Sequence, residues 1–116
     1  MTSSPSPQRS QDPSTSAARA AHRHSYRALL TDLRRAVDLH LAGNYVAAEE
    51  RLRSVLRVEP MLPQAHHHLA VVLHAQTQYS DAVRHLTLAA ELDPSLPGIH
   101  ERLENYTWDA LGRRSA

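Results

Sequence analysis

The chain has 116 residues, 41% of them hydrophobic and 22% charged, a globular composition in a length that holds one domain and no second catalytic module. It contains no cysteine, which excludes disulfides, thiolate catalysis and sulfur-ligated zinc. The formal net charge of +1 hides a division, with +3 on residues 1–28, −4 on residues 29–112 and +2 on Arg113 and Arg114; an acidic body lacks the clustered cations that nucleic-acid binding needs.

Three glycines, Gly43, Gly98 and Gly112, stand apart from one another and offer no phosphate-cradling loop. No apolar run approaches the ~20 residues of a membrane span, and the N-terminus has no apolar signal core. The expected compartment is therefore the cytoplasm, with no membrane and no nucleic-acid partner. All 13 basic residues are arginine, which together with the abundant alanine suggests a GC-rich, bacterial coding sequence.

Residues 1–16 hold six serines, three prolines and no apolar residue after Met1. Such a segment cannot repay the entropy of ordering its backbone and is expected to be a disordered, Ser/Pro-rich tail. Residues 17–28 read as an Ala/Arg helical extension, because alanine favours helix while offering little area to bury. From Leu29 the apolar residues take helical spacing (Leu29, Leu30, Leu33, Val37, Leu41) until Gly43-Asn44 breaks the pattern.

Further helices are expected from about Val46 to Val58, Gln64 to Gln76, Ser80 to Leu92 and Pro97 to Leu111. Ser80 or Asp81 is positioned to cap the fourth and Pro97 to sit in the first turn of the fifth. No strand-like alternation occurs, so the fold class is all-α. Residues 112–116 read as a flexible C-terminus.

Shifting the sequence by 34 residues superposes Tyr45 on Tyr79, Ala48 on Ala82, Leu52 on Leu86, Pro60 on Pro94, Leu62 on Leu96, Pro63 on Pro97, His66 on His100 and Leu69 on Leu103. The alanines suit places where two helices approach closely, the tyrosines fill the turn beneath them, and the prolines stop each second helix. With G-x-Y-x-x-A over Gly43 to Ala48 and Y-x-x-A over Tyr79 to Ala82, at this period and with helix–turn–helix units, the chain resembles the tetratricopeptide repeat family.

The resemblance implies a short α-α superhelix over residues 29–111, with repeats at about 29–62 and 63–96 and a capping helix at 97–111. Its structural positions are Gly43, Tyr45, Ala48, Leu52, Pro60, Leu69, Tyr79, Ala82, Leu86 and Pro94. His66 stands where the family often has tryptophan, and Ala70 and Thr77 where it often has glycine. Two repeats are fewer than the ~3 that usually stand alone, so a partner, a homodimer or the 17–28 helix is expected to cover an exposed end.

The same resemblance places a partner-binding groove on the concave side. Its lining would be Leu33, Arg34, Val37 and His40, then His67, Val71 and His74, then Arg102, Asn105 and Trp108. Such a mixture suits a peptide or helix of a partner protein, and Trp108, the only tryptophan, is either its best anchor or a core residue.

Nine histidines invite a metal reading, but His66, His67 and His68 diverge by about 100° per residue on a helix. His40, His67 and His74 are conceivable as a three-imidazole site, yet no i, i+4 pair of the zinc type occurs. No metal and no cofactor is assigned, and a pH-responsive histidine cluster is the alternative. No triad or water-excluding pocket is legible, so the expected function is a non-enzymatic adaptor or small chaperone. Alternatives are a secretion-system chaperone or exported substrate using the N-terminal segment, and organelle import through an arginine- and serine-rich leader.

Cochaperones of the family clamp a C-terminal aspartate, and the corresponding positions here are Leu33, Val37, His68, Gly98 and Arg102, of which only Arg102 fits. Titration of a peptide ending in EEVD against the full chain is accordingly expected to give no saturable change in Trp108 fluorescence.

Overall fold

A computed structural model describes the backbone of residues 16–112 and the side chains of residues 26–112. The first fifteen residues of the tail expected over 1–16, and the last four residues of the chain, lie outside the described part. The chain divides into two units, Met1–Thr31 and Asp32–Ala116. Among the described residues there are five helices and no strand: α1 (Ser16–Leu41), α2 (Tyr45–Val58), α3 (Pro63–Ala75), α4 (Tyr79–Leu92) and α5 (Ile99–Ala110). The Ala/Arg stretch and the Leu29 stripe are thus one uninterrupted helix, and Ser16, assigned to the tail on composition, opens it.

The short turns leave α2, α3 and α4 running alternately back along one another, with α3 packed against α2 and α4, and α5 against α4. The core follows the apolar stripes. Leu52 and Val55 of α2, Leu69, Val72 and Leu73 of α3, Leu86 of α4 and Ile99 of α5 are fully enclosed, and each such side chain contributes about 1.5–3 kcal/mol of burial free energy. Ala48 and Ala82 are both 0% exposed, so interior packing tolerates only a methyl group there.

The turns α1–α2 and α3–α4 have the same construction 34 residues apart. Asn44 N–H donates to the Leu39 carbonyl at 2.8 Å and Gly43 N–H to His40 at 3.0 Å; Gln78 N–H donates to Leu73 at 2.9 Å and Thr77 N–H to His74 at 2.9 Å. These paired bonds form the Schellman motif, which satisfies helix-end carbonyls through one left-handed residue. That residue is Gly43 (φ +86) in the first turn and Thr77 (φ +63) in the second. Tyr45 and Tyr79 then open α2 and α4 with matching half-buried rings, each tilted against a histidine five residues earlier, His40 at 5.6 Å and His74 at 5.0 Å.

The other two connections differ from each other. Glu59 and Asp93, each before a proline, are extended (φ −134 and −151), as the clash with a following proline ring requires. Pro63 then enters the first turn of α3. Pro97 does not do so in α5, contrary to the sequence expectation. Asp93 Oδ1 accepts from the Ser95 N–H and hydroxyl at 3.0 and 2.6 Å, and Ile99 N–H closes a turn on the Leu96 carbonyl at 3.2 Å. Pro97 and left-handed Gly98 (φ 69, ψ 10) occupy the central positions of that type II turn, which delays the helix to Ile99.

The α4 cap also departs from expectation. Gln78 holds the N-cap position without a side-chain bond, and Asp81 instead pairs with Arg84 at 2.7 Å.

Thr77 is a β-branched residue held in left-handed backbone, a conformation costing about 1–2 kcal/mol for an L-residue other than glycine. Thr77→Gly is expected to raise the unfolding free energy by about 0.5–1 kcal/mol, the relief being partly offset by greater freedom of the unfolded chain. Urea denaturation at neutral pH reads this directly.

Candidate functional site

Helix α3 carries five of its thirteen residues toward chemistry: Gln64, His66, His67, His68 and His74. The helical twist sends them to two places. His66 is buried and turns toward α4, where its Nδ1 lies 3.1 Å from His85 Nδ1 and its Nε2 lies 2.7 Å from the Pro60 carbonyl. A carbonyl only accepts, so His66 Nε2 carries the proton, its neutral Nδ1 is an acceptor, and His85 Nδ1–H donates to it. Thirty-four residues later His100 makes the same contact, Nε2 to the Pro94 carbonyl at 3.2 Å.

On the other side of α3, His67 and His68 are half-buried with stacked rings, centroids 5.4 Å apart, and Arg102 of α5 acts on both electrostatically. Arg102 donates from Nη1 to the Tyr106 hydroxyl at 3.4 Å and forms no ion pair with a carboxylate among the described residues. Three enclosed polar atoms on this face lack a hydrogen-bond partner: Gln64 Oε1, His67 Nε2 and Arg102 Nε. Gln64 and His67 stand one turn apart on α3, hence on one side of it. Arg102 also lines a hollow of about 350 Å³ together with Gly98, Glu101, Asn105 and Tyr106.

His74 is committed elsewhere. Its Nε2–H donates to Asp109 Oδ2 at 2.6 Å, its ring lies parallel on Tyr106 with centroids 3.9 Å apart, and Tyr79 tilts against it. It ties α3 to α5 while its side chain stays 29% exposed. Among the described residues no three His, Asp or Glu side chains gather as a metal site.

The remaining candidates fall into place as follows. Leu33 is 8% exposed and belongs to the core, a correction to its assignment as lining: its stripe on α1 faces inward. Val37, His40 and Val71 are half-buried, while Arg34 and Asn105 are exposed. Trp108 is 46% exposed and is not a core residue. Sequence reasoning placed Gln64 on this face and missed Tyr106 as a participant. The 34-residue period would have brought in Tyr106, because His74 on one hairpin meets residues 32 and 35 positions later on the next helix.

No family model matches the chain, and no curated protein or solved structure does so either.

The imidazoles make stability depend on pH. Burial, then the charges of His67, His40 and Arg102, pushes His68 down to about 4. Burial, then His66, Arg53 and Arg84, outweighs the opposite pull of Asp81 and pushes His85 down to about 4. Both stay neutral in the folded chain where the unfolded chain binds protons, so stability is complete above about pH 6.5 and falls as the pH drops toward 4.

Unfolding midpoints in urea are expected to decline steadily from pH 6.5 to 4.5. The double variant His68→Gln, His85→Asn should flatten that slope, since Asn keeps a donor for His66. An unchanged slope would show that other groups control it.

Proposed function

We propose that the chain is a non-enzymatic protein-interaction module of the tetratricopeptide type, holding a peptide or helix of a partner protein on the face where α3 and α5 meet. The repeat reading rests on the 34-residue match in sequence and on the equivalent turns at Gly43 and Thr77. The binding reading rests chiefly on one observation, the enclosed Gln64 Oε1, His67 Nε2 and Arg102 Nε without partners. A buried polar atom left unmatched costs about 1–3 kcal/mol, so a cluster of them is an invitation to a ligand that supplies the missing bonds.

The donors and the cation define what fits. Arg102 and the imidazoles suit an acidic side chain, Gln64 Oε1 accepts one N–H from the bound backbone, and Trp108, Val71 and Val37 supply apolar contact. Acidic chemistry also makes sense of the histidines. A bound carboxylate favours their charged forms, which burial disfavours in the free chain, so binding takes up protons and strengthens as the pH falls below about 6.5 toward 5. This is the pH-responsive reading of the histidine cluster, joined to the groove instead of competing with it.

A displayed peptide library panned against the full chain provides the test. Enriched peptides are expected to pair an acidic residue with neighbouring apolar ones and to quench or shift Trp108 emission. They should lose about 10- to 100-fold in affinity to Arg102→Gln, the range expected for removal of a charged hydrogen-bond partner. Binding at pH 5 should exceed that at pH 7. Peptides that bind Arg102→Gln and the parent equally would remove the assignment.

A further inference from the structure

The side of the α1–α2 hairpin that faces away from α3 carries an unfilled surface. Asp32, Arg35, Asp38 and Leu39 form one stripe along α1, and Ala47, Glu50, Arg51 and Ser54 form another along α2, at three- and four-residue spacing. Between them lie two adjoining hollows of about 310 and 520 Å³ that share Leu39 and Arg51. Their lining is mixed: Leu39, half-covered, and the small, exposed Ala42 and Ala47 supply its apolar part, and charged side chains the rest. Arg51 bridges the stripes to Asp32 at 3.2 Å. Arg35, Asp38 and Glu50, which belong to that lining, make no ion pair or side-chain hydrogen bond among the described residues.

From this arrangement we infer that two copies of the chain associate through the outer α1–α2 face about a two-fold axis. The composition of the rim selects the occupant. A face that carries both arginine and carboxylate groups can meet its own copy with opposite charges opposed, since a two-fold contact sets each residue against a different residue of the same patch. A face of one sign would repel its copy, and nucleic acid would be repelled by Asp32, Asp38 and Glu50. Alanines at 42 and 47 let the two hairpins approach to helix-packing distance, and the unpaired Arg35, Asp38 and Glu50 gain partners at the rim, where complementary charge fixes register. This surface shares no residue with the groove of α3 and α5.

Light scattering coupled to gel filtration, and sedimentation velocity, measure the outcome on the full chain. At about 200 µM, above the micromolar dissociation constant that a modest contact supports, the parent is expected to run as a dimer of twice the 13.0 kDa chain mass. Ala47→Arg places a long cation in the lining at an exposed helical site, so the fold is kept, as helical circular dichroism will verify. It is expected to weaken association by about tenfold or more. Glu104→Arg, on the exposed side of α5, is the control and should leave the dimer intact. A parent chain that stays monomeric at this concentration overturns the proposal. So does a dimer that survives Ala47→Arg, or one that Glu104→Arg dissolves.

Discussion

The architecture depends on how closely the helices approach one another, and Ala48 and Ala82 set that limit. Each is fully enclosed in an interior packed to crystal-like density, where an added methylene forces side chains off their rotamers or helices apart. The polar contacts that cross between elements tolerate little displacement. His66 reaches the Pro60 carbonyl at 2.7 Å, and His74 lies on Tyr106 at 3.9 Å while bonding Asp109 at 2.6 Å. A hydrogen bond stretched by an ångström is lost, so the methyl-sized residues at the helix crossings protect bonds several residues away.

Most of the described histidines are explained by that framework. His66 and His100 tie the start of a helix to the loop carbonyl that precedes it. His40 and His74 pack on the tyrosines that open the next helix, and His85 serves as donor to His66. Histidine suits these places because its ring has the size of a small aromatic residue and still meets a carbonyl or carboxylate at its edge. Subtracting these roles leaves His67 and His68, which stack on each other beside Arg102 and have no such duty. What distinguishes the α3–α5 face is therefore one arginine without a carboxylate partner among the described residues, set beside two imidazoles that burial keeps neutral.

How far the sequence exposed this depends on whether a feature is local. Helices α2 to α4 were legible within a residue or two, because their apolar stripes are regular and glycine or proline marks every break but the one between α3 and α4. The start of α5 was not, since it is decided by a side chain outside the helix: Asp93 captures Ser95, and Pro97-Gly98 is drawn into a turn. The Thr77 turn was visible only as an exception to a glycine pattern, and its backbone explains why glycine belongs there. The histidine contacts were hidden for a different reason. His66 to His85 spans 19 residues and His74 to Asp109 spans 35, separations that a helical wheel does not display. The period of 34 residues shows which helices neighbour one another, yet not which face of each turns inward, and so Leu33 passed for groove lining while lying in the core.

Charge gives the two surfaces different characters. Residues 29–112 carry a formal −4, so the body as a whole repels an acidic segment at distances within a Debye length of about 8–10 Å. The capture proposed at Arg102 would therefore come from contact, where partial burial weakens screening and bond geometry selects the ligand. That arrangement favours discrimination over speed of encounter. The outer α1–α2 face works by the opposite principle: with arginines and carboxylates interleaved, it has little net field and gains only when a surface of matching pattern is brought up to it. The proposed pairing would leave the proposed groove open, because the hollows of the outer face share no lining residue with the one beside Arg102.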